Sequence, residues 1–363
     1  MQEQITPLNF ERQNIYVGMD VHKNSWTVSV LMNNVLLKTF SQPADADALY
    51  RYLTTRYPGA SYHSAYEAGF CGFWVHYKLL ELGINNIVVN AADVPTNQKE
   101  KTQKDDKRDS RKIVRSLSSG SLTAIHVPSM SDLSDRALVR TRRTLVKDMV
   151  RNKQRIKSFL YFFGIHYPPE YDNHATHWSK RFVKWLRSVI LPDTTAKRSL
   201  DALIDQLEYQ REYLLQITRE IRVLSQTEKY LKNMTLLKTV PGIGPITAVT
   251  LLTELGSIDR FQNNDHLAAY VGVVPTCHST GEKEHTGEMT FRNNGHLLPM
   301  LIESSWTAIR ADPAMTLCYG KLVKRMGKNE AIVRIARKLL NKIYAVLKRQ
   351  EEYKCGINNV QKK

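Results

Sequence analysis

Paired cysteines are missing from this sequence of 363 residues. Its four cysteines, Cys71, Cys277, Cys318 and Cys355, are scattered, and no C-x-x-C pair occurs. That argues against a disulfide scaffold and a zinc ribbon, and it fits a reducing compartment. The opening "MQEQITPLNFERQ" has no apolar signal core. No uninterrupted apolar run reaches the roughly 18 residues that span a bilayer. These absences predict a soluble cytoplasmic protein with no membrane partner. Acid is scarce too, with 35 Asp and Glu against 52 Lys and Arg, a net charge of +17. Such an excess attracts polyanions, and nucleic acid is the commonest polyanion in a cell. Hydrophobic content of 42% and charged content of 24% are ordinary for a folded chain. The length suits two or three domains.

The first segment reads as α/β. "IYVGMDVHKNSWTVSVL" is rich in β-branched and aromatic residues and is divided by the polar break "HKNS", so two antiparallel strands are predicted, with a third at residues 35–40. "ADADALYRYLTTRY" has helical spacing through Leu49, Tyr52 and Leu53. "SYHSAYEAG" reads as a strand, "GFWVHYKLLELG" as a helix closed by Gly83, and "NNIVVNAADVP" as a buried strand. A long basic helix over 133–163 carries Leu138, Leu145, Met149, Ile156 and Phe159 as its apolar stripe. Arg140, Arg142, Arg143 and Lys147 lie outside that stripe and are expected to be available to a ligand.

From residue 200 the pattern changes. Leu200, Leu207, Leu214 and Ile221 recur every seven residues, and Leu203, Gln210, Ile217 and Leu224 recur on the offset register. This a/d seam, with one polar interruption at Gln210, fits either a helix of an intramolecular bundle or a dimerising coiled coil. "LLKTVPGIGPITAVTLLTELG" has the look of a helix-hairpin-helix motif. Its turn, Gly242 to Gly244, would present backbone N–H groups to a phosphate. The last helix is expected to bury Ile332, Ile335, Leu339, Ile343 and Leu347, and to expose Arg334 and Lys338.

Four acids stand out as candidates for chemistry. Asp20 ends an apolar strand and Glu67 ends another; an acid in such a place is costly to bury unless it is paired or ligates metal. Asp106 and Asp109, in "KDDKRDSRKIV", are three apart and share one helix face. Hard oxygen ligands of this kind suit Mg²⁺ or Mn²⁺. Two such ions about 3.5–4 Å apart can serve phosphodiester chemistry. Asp105 is i,i+4 to Asp109, so spacing does not exclude it as an alternative to Asp106. Lys104, Lys107, Arg108 and Arg111 would ease repulsion among the carboxylates and attract a phosphate backbone. In "GVVPTCHSTGEKEHTGEM", a hydroxyl from Ser279 or Thr280 on a flexible polar loop could act as a nucleophile.

The order of "GMDVHK", "YEAGFCGFWVHYKLL", "KDDKRDSRKIVRSLSSGSLTAIHVP", "TVPGIGPITAVTLLTELG" and "AAYVGVVPTCHSTGEKEHTGEMT" resembles the transposases of insertion sequence family 110, over residues 16–347. These are DEDD-type, bridge-RNA-guided recombinases. The resemblance implies three domains and a tail. Residues 1–130 would be a RuvC-like, RNase H-type metal-binding domain. Residues 131–232 would be a helical linker or coiled coil. Residues 233–350 would be a mainly α transposase domain with the helix-hairpin-helix-like motif, and 351–363 the tail. It also implies a metal tetrad of Asp20, Glu67, Asp106 and Asp109, with Asp106 favoured over Asp105, and Ser279 as nucleophile. The implied partners are donor and target DNA, a structured noncoding guide RNA, and further copies of the chain as dimer or tetramer. The setting would be the nucleoid of a bacterial or archaeal cell. Phe291, Leu298 and Pro299 depart from the family's usual basic residues, and Pro299 would break a helix outside its first turn. Two other functions fit the residues: a metal-dependent junction endonuclease that uses the acids without Ser279, and a non-catalytic nucleic-acid-binding protein.

Overall fold

The computed structural model describes residues 9–95, 105–280, 283–290 and 292–355. The chain divides into two compact units, Met1–Pro128 and Ser129–Lys363. The second unit takes in both the helical segment and the segment that follows it.

The first unit is a five-stranded sheet with helices on both faces. Strands β1 (Asn14–Val21), β2 (Ser25–Met32) and β3 (Val35–Pro43) form an antiparallel meander. Helix α1 (Ala46–Arg56), capped by the Asp45 side chain, leads to β4 (Ser61–Glu67). Helix α2 (Trp74–Glu81), β5 (Asn85–Val89) and α3 (Asp106–Ser118) follow. The sheet order is β3-β2-β1-β4-β5, with β4 parallel to both β1 and β5. The two-residue period of β1 explains the layering. Ile15, Val17, Met19 and Val21 enter one core with Leu49, Leu53, Val75 and Leu79 of α1 and α2. The alternate face holds α3.

That second face is built for close approach. Across four strands, Ala65, Gly18, Ser29 and Thr39 stand in one register row, all small. Gly18 has no room for a side chain, since a Cβ there would lie 2.2 Å from the Ser110 carbonyl oxygen and 2.4 Å from the Val114 nitrogen. Ser29 and Ser110, both fully buried, share a hydrogen bond of 2.9 Å. Ser29 also meets the Thr39 hydroxyl at 3.0 Å, and Thr39 accepts from Arg111 Nε at 3.0 Å. Arg111, expected to face phosphate, is thus tied to the sheet through that nitrogen.

The second unit opens with α4 (Met130–Phe162), followed by α5 (Lys180–Ser188) and α6 (Thr194–Ser225). The heptad seam of α6 faces α4 of the same chain. Leu200, Ile204 and Leu207 pack with Ile156 and Leu160, while Arg142 Nε donates to Thr218 at 2.9 Å, so the two helices run antiparallel. The polar interruption has a partner: buried Asn152 donates to Gln210 at 3.3 Å and to the Leu203 carbonyl at 3.1 Å. Within the chain, Leu200 and Leu207 of this seam are buried against α4 and α5, and Ile217 and Ile221 against the following helices.

Helices α7 (Glu228–Lys238), α8 (Pro245–Leu255) and α9 (Asn264–Val271) come next, then the hairpin β6 (Pro275–Thr280) and β7 (Lys283–Met289). Helices α10 (Leu297–Ala311), α11 (Pro313–Leu322) and α12 (Lys328–Arg349) complete the unit. Ile332, Ile335, Leu339, Ile343 and Leu347 of α12 all enter its core. Pro299 is the third residue of α10, inside the first turn, where its missing N–H breaks no helical bond. Among the described residues, no helix is long and apolar enough to cross a membrane.

Candidate metal centre and nucleic-acid contacts

The carboxyl ends of β1 and β4 lie side by side. Met19 pairs with Tyr66, so Asp20 and Glu67 are the next residues on adjacent parallel strands, with backbones about 5 Å apart. Both belong to the α3 face. The tight seat of α3 on Gly18 brings the first turn of that helix over the same strand ends.

Asp105 and Asp106 part company here. Asp105 is the N-cap of α3: its backbone is extended, and its Oδ1 accepts from Lys107 N at 3.1 Å. Asp106 is the first helical residue. Its Oδ2 lies 3.3 Å from His22 Nε2, and the same nitrogen lies 3.3 Å from Asp20 Oδ2. Asp20, His22 and Asp106 therefore offer one donor each, all within 4.8 Å of one another. Neither Glu67 nor Asp109 joins that trio within this distance. Asp109 sits one turn along α3 and pairs with Lys112 Nζ at 3.2 Å. The structure thus brings two of the four expected acids together through a histidine, with the others on the same strand-end row and helix turn. His22 was not singled out from the sequence. The signal was there: two residues past Asp20 at a strand end, it shares that residue's face.

The donor set fits a divalent cation. Two carboxylates are hard oxygen donors, imidazole adds a nitrogen, and the trio is partly open, with side-chain exposures of 20% for Asp20, 38% for His22 and 46% for Asp106. The N-terminus of α3 further favours anionic groups in its first turn.

The expected phosphate contacts fall into distinct settings. Lys107 and Arg108 are exposed, and Arg108 lies 4.0 Å from Asp105. Lys104 lies outside the described residues. Gly242 has φ +87°, and a Cβ there would lie 2.3 Å from the Ser304 carbonyl oxygen, so this glycine lets the turn after α7 pack on α10. Gly244 opens α8 in free space. Arg334 and Lys338 are exposed one turn apart on α12, Arg334 pairing with Glu330 at 3.2 Å. Arg140 is not a free cation. It grips Glu254 of α8 with two bonds, of 2.6 and 2.8 Å. Glu254 is fully buried, and burial pushes its carboxyl up. Hydrogen bonds from Arg140 and Asn294, with the nearby Arg charges, outweigh this and hold it below the usual carboxylate range. His296 is pushed down by burial and by Arg140, Arg143 and Lys147.

Ser279 lies in β6, paired with Glu284 in β7, so its segment is a strand of a hairpin and not the loop expected. Its side chain and the Phe291 position lie outside the described residues.

Comparison with known families gives two matches, the first running past Pro128 to the end of α4. Residues 17–164 match the model of DEDD-type transposases of IS110 elements, and residues 234–320 match the Transposase IS116/IS110/IS902 family. These two matches make the protein a transposase. The chain belongs to the IS110 family of insertion-sequence transposases. It is 26% identical over 265 residues to the transposase of insertion sequence element IS1111A from Coxiella burnetii, covering 70% of each chain. It is 26% identical over 256 residues to that of element IS1533 from Leptospira borgpetersenii, covering 69% of this chain and 72% of the other. It is also 23% identical over 360 residues to a pilin gene-inverting protein of Moraxella lacunata, covering 93% and 97%. As a transposase it acts on DNA.

Proposed function

We propose that the protein cuts and rejoins donor and target DNA under the direction of a bridge RNA, with Ser279 as nucleophile. Asp20, Glu67, Asp106 and Asp109 would hold Mg²⁺ or Mn²⁺, with His22 beside them. The observation that carries this reading is the meeting of Asp20 and Asp106, 86 positions apart in sequence, at the carboxyl end of β1. The sheet order β3-β2-β1-β4-β5 supports a RuvC-like, RNase H-type first unit. When bound, the cation supplies charge neutralisation and nucleophile activation at a phosphodiester.

The chain's own residues do the rest. The Ser279 hydroxyl attacks phosphorus and forms a phosphoserine ester; one strand end leaves as a free hydroxyl and takes up a proton. Reversal with a different strand end rejoins DNA without loss of bond energy. Lys107, Arg108, Arg334, Lys338 and the N–H groups at Gly244 grip phosphates, which gives affinity without base identity. Base pairing by the RNA then supplies sequence choice. Copies of the chain would bring the acids of one protomer to the serine of another.

The relative named as a gene-inverting protein supports rejoining over hydrolysis alone. The test is recombination between donor and target plasmids, with and without the flanking noncoding RNA. Wild type should recombine only with RNA and Mg²⁺, and Asp106→Ala and Ser279→Ala should both fail. A Ser279→Ala protein that still cleaves would make this a hydrolytic junction nuclease. Binding with no metal-dependent cleavage by wild type would make it a non-catalytic nucleic-acid-binding protein.

A further inference from the structure

The β6–β7 hairpin joins the second unit through a closed stem. Thr290 N donates to the Val274 carbonyl at 3.3 Å, and Asn294 N donates to the Val271 carbonyl at 3.3 Å. Gly272, at φ +90°, lies so close to the returning chain that a Cβ there would meet the Asn293 Cβ at 2.1 Å. The two ends of the hairpin are therefore pressed together, residues 271–274 against 290 and 292–294.

Asn294 uses its whole side chain at this point. Its Nδ2 donates to Glu254 Oε2 at 3.1 Å and to the Tyr270 hydroxyl at 3.2 Å. Its Oδ1 accepts from His296 N at 2.9 Å and Leu297 N at 3.1 Å, which caps α10. The amide has two donor hydrogens and two acceptor sites, so all four bonds can form together. Behind Asn294 stands Glu254, held by Arg140, with Arg136 Nε at 4.0 Å. Arg136 also donates to the Thr253 carbonyl at 2.9 Å. The Glu254 carbonyl accepts from Tyr270 at 3.0 Å. Helices α4, α8, α9 and the hairpin's return end thus meet around one buried residue, Glu254.

A buried ion pair is a poor way to hold helices together, since apolar residues of similar volume often do it as well or better. What it does well is fix one arrangement of donors and acceptors. We infer that Glu254, oriented by Arg140, is a positioning residue that fixes Asn294 and thereby sets the hairpin bearing Ser279. This rests on the reading of Ser279 as nucleophile. Neither Glu254 nor Asn294 touches DNA in this scheme; they act through the stem.

Asn294→Asp in the full-length protein separates this role from simple capping. The aspartate keeps the cap on α10, loses the donor to Glu254, and sets a second carboxylate against it. With DNA and RNA saturating, formation of the serine–DNA adduct should slow by about 10²-fold, the loss a displacement near 1 Å brings. DNA affinity should be unchanged. Amide hydrogen exchange should rise by about tenfold across 275–290 and stay unchanged in α8 and α10. The inference is overturned if Asn294→Asp forms adduct and exchanges like wild type. It is also overturned if α8 and α10 lose protection equally. Ser279→Ala in the same assay keeps the two readings apart. An adduct that persists without Ser279 removes the nucleophile assignment, while the exchange data still judge the anchor.

Discussion

Replacing Gly18 with alanine puts a methyl group where α3 already lies. The added Cβ falls 2.2 Å from the Ser110 carbonyl oxygen, 2.4 Å from the Val114 nitrogen and 2.9 Å from the Val114 Cβ, all inside the 3.0 Å that real Cβ atoms respect. Two of these three atoms are backbone, so no side-chain rotation relieves the clash, and the helix must lift by roughly 1 Å. Overpacking of this kind costs about 1–3 kcal/mol. Loss of the buried Ser29–Ser110 hydrogen bond adds about 1 kcal/mol. The same lift carries Asp106 away from Asp20, and a displacement of roughly 1 Å at a reacting centre slows catalysis by about 10²-fold. Urea unfolding of the full-length protein, followed by circular dichroism, should show a lower midpoint for Gly18→Ala at unchanged slope. Metal-dependent DNA cleavage should fall far more than DNA binding. Gly320→Ala in α11 is the control. Nothing lies within 4 Å of its added Cβ, so it should stabilise by about 0.5–1 kcal/mol and leave cleavage alone. If Gly18→Ala unfolds and cleaves like wild type, α3 is not seated on the small-residue row and the site described above does not exist.

Other outcomes follow from the same geometry. Asp105→Ala removes a helix cap and should cost about 1 kcal/mol while keeping metal-dependent cleavage; Asp106→Ala should keep the cap and abolish cleavage, as read on supercoiled plasmid. Arg140→Ala strips the bidentate partner from fully buried Glu254 and should destabilise by about 3–5 kcal/mol in calorimetry. His296 has a lowered pKa in the folded chain, so the unfolded state binds its proton more readily. Its contribution to stability is complete above the unfolded value near 6.5 and declines as pH falls below it. Glu254 is depressed likewise, and its contribution is lost at lower pH, as it titrates in the folded state. The urea midpoint should therefore drop between about pH 7 and 5, by less in His296→Gln.

Much of the first unit could be read from the sequence because its signals are local. The break "HKNS" separates β1 from β2, and the alternation of Ile15, Val17 and Met19 with Gly18 and Asp20 marks two unlike faces. The long helices were legible for the same reason, through heptads and apolar stripes. What periodicity could not supply was the partner: the α6 seam looks alike whether it meets α4 or a second chain. Spacing also could not separate Asp105 from Asp106, because only the cap geometry distinguishes them. The Arg140–Glu254 pair spans 114 positions, and nothing in either neighbourhood announces the other. The hairpin around Ser279 looks like a loop in the sequence because "STGEKEHTGEM" is polar and glycine-bearing, without the alternation that marks a half-buried strand.

The row of tiny residues beneath α3 has a consequence for anyone who would redesign this enzyme. The helix and its acids behave as a cartridge slotted onto a floor of small side chains, so the base of the candidate metal centre leaves little room for larger ones. Altered metal preference or turnover has to be sought at the rim, around His22 and the exposed turn of Lys107 and Arg108. A helix borrowed from a relative should seat correctly so long as Gly18 is kept and the helix still offers partners to Ser29 and Thr39.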